Sequence, residues 1–366
     1  MNILGINMSH DSSTCLMKDG QIVFCLEEER IINIKHFSCQ SIFPTEYNCV
    51  DRIKKYTSEI DYLILIGLSS HSLMGQSNLK TAENIVNKLL HHGISINNVI
   101  LESDEHHLFH AYNGFYNSEF TEALVIVMDG RGNYYSKIKK YIKPQHDAHE
   151  FCEIESAYLT SYENKLDLIY KHCSSGIQHF TDATQSEYKI INEENTEYII
   201  SNAIGAGALF EFYAGKFVGN LLDAGKLMGI SSYGTITNTE SWIIDGLILD
   251  NQKCNIHMKQ NIGNMMFQEK ANVAKKIQKE TKEYTTNLIK RMVEKTNQKN
   301  IILTGGYFLN CVNNYEYIKD FPELNFYIDP ICYDAGTSIG ACYYVWYNIL
   351  NNKNISRPLT NVYLGG

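Results

Sequence analysis

Apolar and polar positions along the chain fall into two similar series of short strands and helices. Residues 3–9 alternate and carry enough β-branched side chains for a strand, and Thr14–Met17 forms a second after the turn Ser9-His10-Asp11-Ser12-Ser13. Asp19-Gly20 is a hairpin signal leading into a third strand, Gln21–Glu28. Pro44 is expected to open a helix through Lys55, and Tyr62–Gly67 to form a short buried strand. Lys80–Leu90 places Ile85, Val86, Leu89 and Leu90 on one helical face. Asn98–Glu102 reads as another strand, and a histidine-rich helix follows from His106.

The pattern begins again near Ala123. Leu124–Asp129 is a buried strand, Gly130-Arg131-Gly132-Asn133 a turn, Tyr134–Ile142 a second strand and Glu150–Tyr158 a third. A strand ending in a polar residue, a tight turn and two more strands thus occurs near residues 3 and 124, which predicts two similar α/β halves across a cleft. Backbone N–H groups of the two turns, at Gly130 in the second, are placed to grip nucleotide phosphates. Tyr158–Cys173, Ile204–Phe217 and Phe267–Asn297 read as helices, and the polar stretch Glu187–Glu197 as a surface excursion. Asp223–Gly229 is a glycine-punctuated loop. Asn300–Thr304 and Asn325–Ile328 are strands, Gly305-Gly306 precedes a helix from Tyr307, and Tyr333–Gly336 caps a last helix through Leu350. The expected division is 1–122 and 123–366, with no long linker.

The 366 residues suffice for a large core, and 44% hydrophobic with 20% charged residues is ordinary for a globular protein. The net charge of −9 argues against a broad nucleic-acid footprint. Ten scattered cysteines without C-x-x-C pairs indicate a reducing compartment and no disulfide framework. With no basic leader and no apolar run of spanning length, a soluble cytoplasmic protein that avoids membranes is expected. P-loop, nucleophile-elbow, G-x-G-x-x-G and zinc-ribbon patterns are missing.

His106 and His110 leave one helical face, four residues apart. On spacing alone they could lie on a polar face, and His107 makes the region simply histidine-rich. Asp129, however, ends an apolar strand, where an idle carboxylate is costly. Asp334 also sits between a strand and a helix. Two imidazoles and two carboxylates suit iron(II), manganese or zinc. Leu303-Thr304-Gly305-Gly306 with Asn310 resembles an adenosine-binding turn, or serves as a plain structural turn. Asp223 and Lys226 offer a carboxylate and a cation on one loop, His10-Asp11 occupies the first turn, and Lys35-His36 bears on the cleft only if its loop folds inward.

Taken together and in order, these motifs resemble one family. They are Gly5-Ile6-Asn7 with His10-Asp11-Ser12-Ser13, Glu28-Glu29-Arg30 with Lys35-His36, and His106-His107-x-x-His110-Ala111. Asp129-Gly130, Gly225-Lys226-Leu227-Met228-Gly229, Gly305-Gly306-x-x-Leu309-Asn310-Cys311 and Asp334-x-Gly336-x-x-x-Gly340-Ala341 follow. The chain resembles the O-carbamoyltransferases of the nodulation-factor and antibiotic-tailoring type. It is more distantly similar to the tRNA threonylcarbamoyl-transfer subunit and the hydrogenase-maturation carbamoyltransferase. The resemblance implies an actin-like/Hsp70-like (ASKHA) duplicated α/β fold that passes a carbamoyl group from carbamoyl-adenylate to an acceptor hydroxyl, releasing AMP. By motif, His106, His110, Asp129 and Asp334 would hold a metal, iron(II) first, with manganese or zinc as alternatives. Gly130, Lys226, Gly305, Gly306 and Asn310 would bind the nucleotide. His10 and Lys35 would polarise the carbamoyl group, and Asp223 would take the acceptor's proton.

The expected partners are a small-molecule or modified-base acceptor and an adenylate-forming domain, with a homodimer as an option. Ser231-Ser232-Tyr233-Gly234 departs from the family's Ala-Pro-Tyr-Gly. The sequence stops about where the family enters its adenylate-forming domain, so that activity is expected in cis on a longer protein or in trans. Two rival readings are a kinase of the same superfold and a nucleic-acid modification subunit. Imidazole ligands speak against the first and the acidic balance against the second.

Overall fold

A computed structural model describes residues 1–39, 47–67, 71–102, 104–142, 151–163, 165–176, 185–236, 238–255, 265–353 and 364, with 71–77 as backbone. The first sheet contains β1 (Asn2–Asn7), β2 (Ser13–Lys18), β3 (Gln21–Glu27), β4 (Glu59–Ile66) and β5 (Ser95–Glu102), in the order β3-β2-β1-β4-β5. β2 is antiparallel to β1 and β3, whereas β4 is parallel to β1 and β5.

The second sheet repeats that plan. It is built from β6 (Glu122–Met128), β7 (Cys152–Ser161), β8 (Asp167–Ser174), β9 (Tyr188–Glu193) and β10 (Thr196–Ser201). A small hairpin of β11 (Ile243–Ile244) and β12 (Ile248–Leu249) stands apart, and β13 (Asn300–Thr304) and β14 (Asn325–Ile328) complete the large sheet. Its order is β14-β13-β6-β7-β8-β10-β9. The core β8-β7-β6-β13-β14 has the antiparallel and parallel pairings of the first sheet, position for position. The duplication expected from the pattern is therefore present in the topology.

Between the sheets lie the histidine helix (His106–Asn117) and the closing helix (Thr337–Tyr343). One buried cluster joins Ile3 and Met17 of the first sheet, Phe109 and Phe115 of the histidine helix, Val125 and Val127 of the second sheet, and Ile339 of the closing helix. Outside the first sheet, Ile85 and Leu89 of the helix His71–His91 cover its other face. Outside the second, the helix Ala206–Phe217 and the long helix Phe267–Thr296 do the same with Leu209, Tyr213, Ile277 and Leu288. Five layers result, and the central one touches both halves.

Several elements differ from the sequence reading. Tyr158–Cys173, with its near-helical spacing of Tyr158, Tyr162, Leu166, Ile169 and Cys173, is the hairpin of β7 and β8. Both strands pair across most of their length, and that ladder overrides the local periodicity. Tyr134–Ile142 forms only an isolated bridge at Tyr134, then a short 3-10 helix, Ser136–Tyr141, that buries Ile138 alone. The expected third strand is thus the second, and its start at Glu150 lies outside the described residues. Glu187–Glu197 falls on β9 and β10, an edge hairpin. Asp223–Gly229 is mostly helix, Ala224–Ser231, where burial of Leu227 offsets the weak propensity of two glycines. After Gly305 the chain makes a 3-10 turn, Gly306–Leu309, before the helix Cys311–Asp320. Pro44 lies outside the described residues, and a short helix, Val50–Lys54, is seen beyond it. No disulfide joins the ten cysteines, and no helix among the described residues is long and apolar enough to cross a membrane.

The central layer is packed backbone to backbone. A methyl at Gly340 would collide with the carbonyl oxygen of Phe109, so Gly340→Ala should cost about 1–3 kcal/mol. Gly229, on the outer helix, has open space where its Cβ would be, so Gly229→Ala should stabilise by about 0.4–1 kcal/mol. Urea midpoints measure both, and opposite signs are required.

Candidate active site

β6 and β13 are parallel neighbours, so their carboxyl ends open side by side. Asp129 follows the last residue of β6, and Gly305-Gly306 follows β13. Gly305 has φ 98°, and a side chain there would strike the backbone of Met128. Gly306 can therefore donate its N–H to Asp129 Oδ1 at 3.1 Å, which turns Oδ2 toward the histidine helix. Asp334 arrives from the 3-10 turn that starts the closing helix.

The two imidazoles meet these carboxylates at the buried first turns of the histidine helix. His106 Nε2 lies 3.2 Å from Asp129 Oδ2 and 3.4 Å from Asp334 Oδ1. His110 Nε2 lies 3.9 and 3.6 Å from the same atoms and 3.0 Å from His106 Nε2. Donors held about 2.1 Å from one tetrahedral ion are separated by about 3.4 Å, so these spacings fit a single divalent cation. The donor set of two nitrogens and two carboxylate oxygens suits a first-row transition metal better than magnesium. Burial opposes charge on His106, but Asp334 and Asp129 outweigh it and push its pKa up to about 10. Burial likewise works against the Asp334 carboxylate, yet His10 and His106 hold it well below the usual range.

Beside this cluster is a cavity of about 310 Å³ with walls from both halves. Of the residues singled out from sequence, His10, Lys35, Asp129, Gly130, Gly306, Asn310 and Asp334 line it. His10 Nδ1 stands 3.4 Å from Asp334 Oδ2, between cluster and cavity. Asn310 caps the helix Cys311–Asp320 through Asn313 N–H, and its amide is held by Gln278 of the long helix. Asp223 and Lys226 pair at 2.7 Å, with Lys35 Nζ 3.4 Å from Asp223. Neither Asp223 nor Lys226 is on the cavity wall, and Gly305 acts from behind it.

The loop after β3 divides its conspicuous residues between structure and cavity. Glu28 is buried and accepts N–H groups of Asn48 and Cys49. His36 pairs through Nδ1 with Asp11 at 2.7 Å and donates its backbone N–H to Glu29, which folds the loop inward. Lys35 reaches the cavity for that reason.

Glu211 was missed. It lines the cavity, has no hydrogen-bond partner among the described residues, and lies so close to Gly130 that a Cβ there would collide with its carboxylate. Burial, then the like charge of Asp129, raises its pKa to about 7. The available signal was a lone carboxylate in the otherwise apolar run Ala206–Tyr213.

Fold and site define a duplicated α/β protein with an interdomain cavity ending in a four-donor cluster. A family model described as "Carbamoyltransferase N-terminus" matches residues 2–74 and 69–343, and the chain belongs to that carbamoyltransferase family. It is similar to the nodulation protein NolNO of Sinorhizobium fredii, at 21% identity over 97% of this chain and 49% of that protein. It is also similar to an uncharacterized protein, sll1178, of Synechocystis, at 24% identity over 100% of this chain and 60% of that one. The chain thus spans about half to three-fifths of the length of these relatives. Among solved structures, T. kodakarensis HypF superposes with TM-score 0.55 at 10% identity, covering 96% of this chain and 48% of that one. Full-length HypF in its phosphate- and nucleotide-bound form gives 0.54 at 13%, covering 97% and 56%. At such identity the likeness establishes the fold, which is ASKHA-like, as the sequence led us to expect.

The cluster predicts a measurable chelate. Anaerobically prepared protein should retain a divalent ion through gel filtration. His110→Ala and Asp334→Asn should weaken it by more than the ~10–100-fold typical of an outer-shell change. Equal metal content in wild type and His110→Ala would sink the assignment.

Proposed function

We propose that this chain transfers a carbamoyl group from carbamoyl-adenylate to an acceptor hydroxyl and releases AMP. The observation that carries this reading is the juxtaposition of the four-donor cluster with the Gly-Gly turn and Asn310 on one cavity. In the reaction the acceptor oxygen bonds to the carbamoyl carbon, the bond from that carbon to the phosphate oxygen breaks, and AMP leaves with the electron pair. A divalent ion at His106, His110, Asp129 and Asp334, iron(II) in our reading, would supply Lewis acidity toward the departing phosphate.

The chain's own groups divide the remaining work. Gly305 lets the backbone pass close enough for Gly306 to orient Asp129, and Asn310, its amide fixed by Gln278 and Asn313 N–H, forms the cavity wall on the nucleoside side. His10, turned toward the cavity by Asp334, is placed to donate to the carbamoyl oxygen as charge develops there, with Lys35 adding positive potential. The acceptor's proton needs a carboxylate. Asp223 is engaged by two lysines at the rim, whereas Glu211 faces the cavity with no side-chain partner among the described residues, so we assign the proton to Glu211 and rim electrostatics to Asp223. The adenylate would come from an activating domain in cis or a partner in trans, in the ATP-containing cytoplasm. The acceptor is a small molecule or modified base bearing a hydroxyl.

The test is incubation of anaerobic, metal-loaded protein with carbamoyl-adenylate and a panel of hydroxyl acceptors, following AMP and O-carbamate together. Equimolar products are expected, with His10→Ala and Glu211→Gln each lowering turnover by ~10²–10⁴. AMP without carbamate would reduce the protein to a hydrolase and refute the proposal.

A further inference from the structure

Directly behind the metal ligands the fold buries an ion pair that the proposed chemistry does not use. Glu153 of β7 and Lys171 of β8 contact each other, both with 0% exposure. Taking two charges out of water is costly, and a buried pair is weak evidence of stability by itself. Its placement gives it another task. Lys171 engages Oε1 of Glu153 and lies over the Tyr135 ring at 4.5 Å. Oε2 is left to accept two backbone N–H groups, Asn133 at 3.1 Å and His107 at 3.4 Å.

Those two groups belong to the segments that carry metal ligands. His107 follows His106 in the first turn of the histidine helix, where N–H groups have no intrahelical acceptor. The preceding Glu105 supplies no side-chain cap, and no acidic residue lies in the first turn. Asn133 ends the turn that begins just after Asp129, and Gly132 N and Asn133 O also bond to the Glu153 backbone. A Cβ at Gly132 would stand 2.8 Å from Glu153 Oε2 and 2.9 Å from the His107 ring, so that glycine admits the carboxylate. The His107 ring is itself pinned by Ser156 at 2.7 Å.

We infer that Glu153, with its charge balanced by Lys171, is a positioning residue that caps the histidine helix from another strand and sets the relative placement of His106 and Asp129. The inference rests on the metal reading given under the proposed function. A carboxylate is suited to this because it accepts two N–H bonds on one oxygen while the other meets the lysine.

Removing one charge alone would strand the other and endanger folding, so the test replaces both. Glu153→Gln with Lys171→Met keeps a neutral acceptor for Asn133 and His107, whereas Glu153→Met with Lys171→Met removes it at similar volume. Mn²⁺ affinity is measured for wild type and both variants, together with melting temperature and amide exchange at 106–108 and 132–134. We expect the Met/Met variant to bind Mn²⁺ at least about tenfold more weakly than the Gln/Met variant and to lose protection at those amides. Equal affinities in the two folded variants would overturn the positioning role alone. Wild type that takes up no Mn²⁺ would overturn the metal reading and this inference with it.

Discussion

Two carboxylates buried side by side cannot both stay ionised without positive charge between them, and this constraint organises the molecule. Asp129 follows β6 of the second sheet and Asp334 comes from the 3-10 turn that starts the closing helix, while His106 and His110 come from the helix that separates the sheets. Neither half can satisfy the site alone. Close backbone packing of the closing helix on the histidine helix, at Gly340 and Phe109, brings the two sets of donors into register. The central layer therefore serves as core for both sheets and as scaffold for the site.

Within that layer rigidity and access are separated. The ligand side is fixed by short, buried elements and by backbone hydrogen bonds that leave little freedom. The opposite wall comes from the loop after β3 and from the helix Ala206–Phe217, which present Lys35 and Glu211. A cavity built this way can hold a charged end of a ligand firmly while its other end meets side chains that vary in chemistry.

How legible the site was depended on how local its signals were. The spacing of His106 and His110 is a property of a single helix, and Asp129 ends an apolar run, so both stood out in the sequence. The fold's duplication was also readable, because strand, turn and hairpin recur in order. Where the reading failed, partners distant in sequence decided the outcome. Tyr158–Cys173 has helical spacing but lies between strands whose edges need hydrogen bonds, and pairing prevailed. Asp223–Gly229 looked like a loop because glycine is a poor helix former, yet the packing of Leu227 made it a helix.

The sequence by itself pointed to the repeated α/β plan, the His106–His110 pair, Asp129 and the Gly-Gly turn, since each follows from residue type and short spacing, and Asp334 joined them only through the order of the motifs. Only the tertiary structure decided that Asp223 is engaged by Lys35 and Lys226 at the rim while Glu211 faces the cavity. It likewise decided that Glu153 and Lys171 sit behind the four-donor cluster. A carboxylate's role depends on which charges and N–H groups surround it, and those come from strands and helices far apart along the chain.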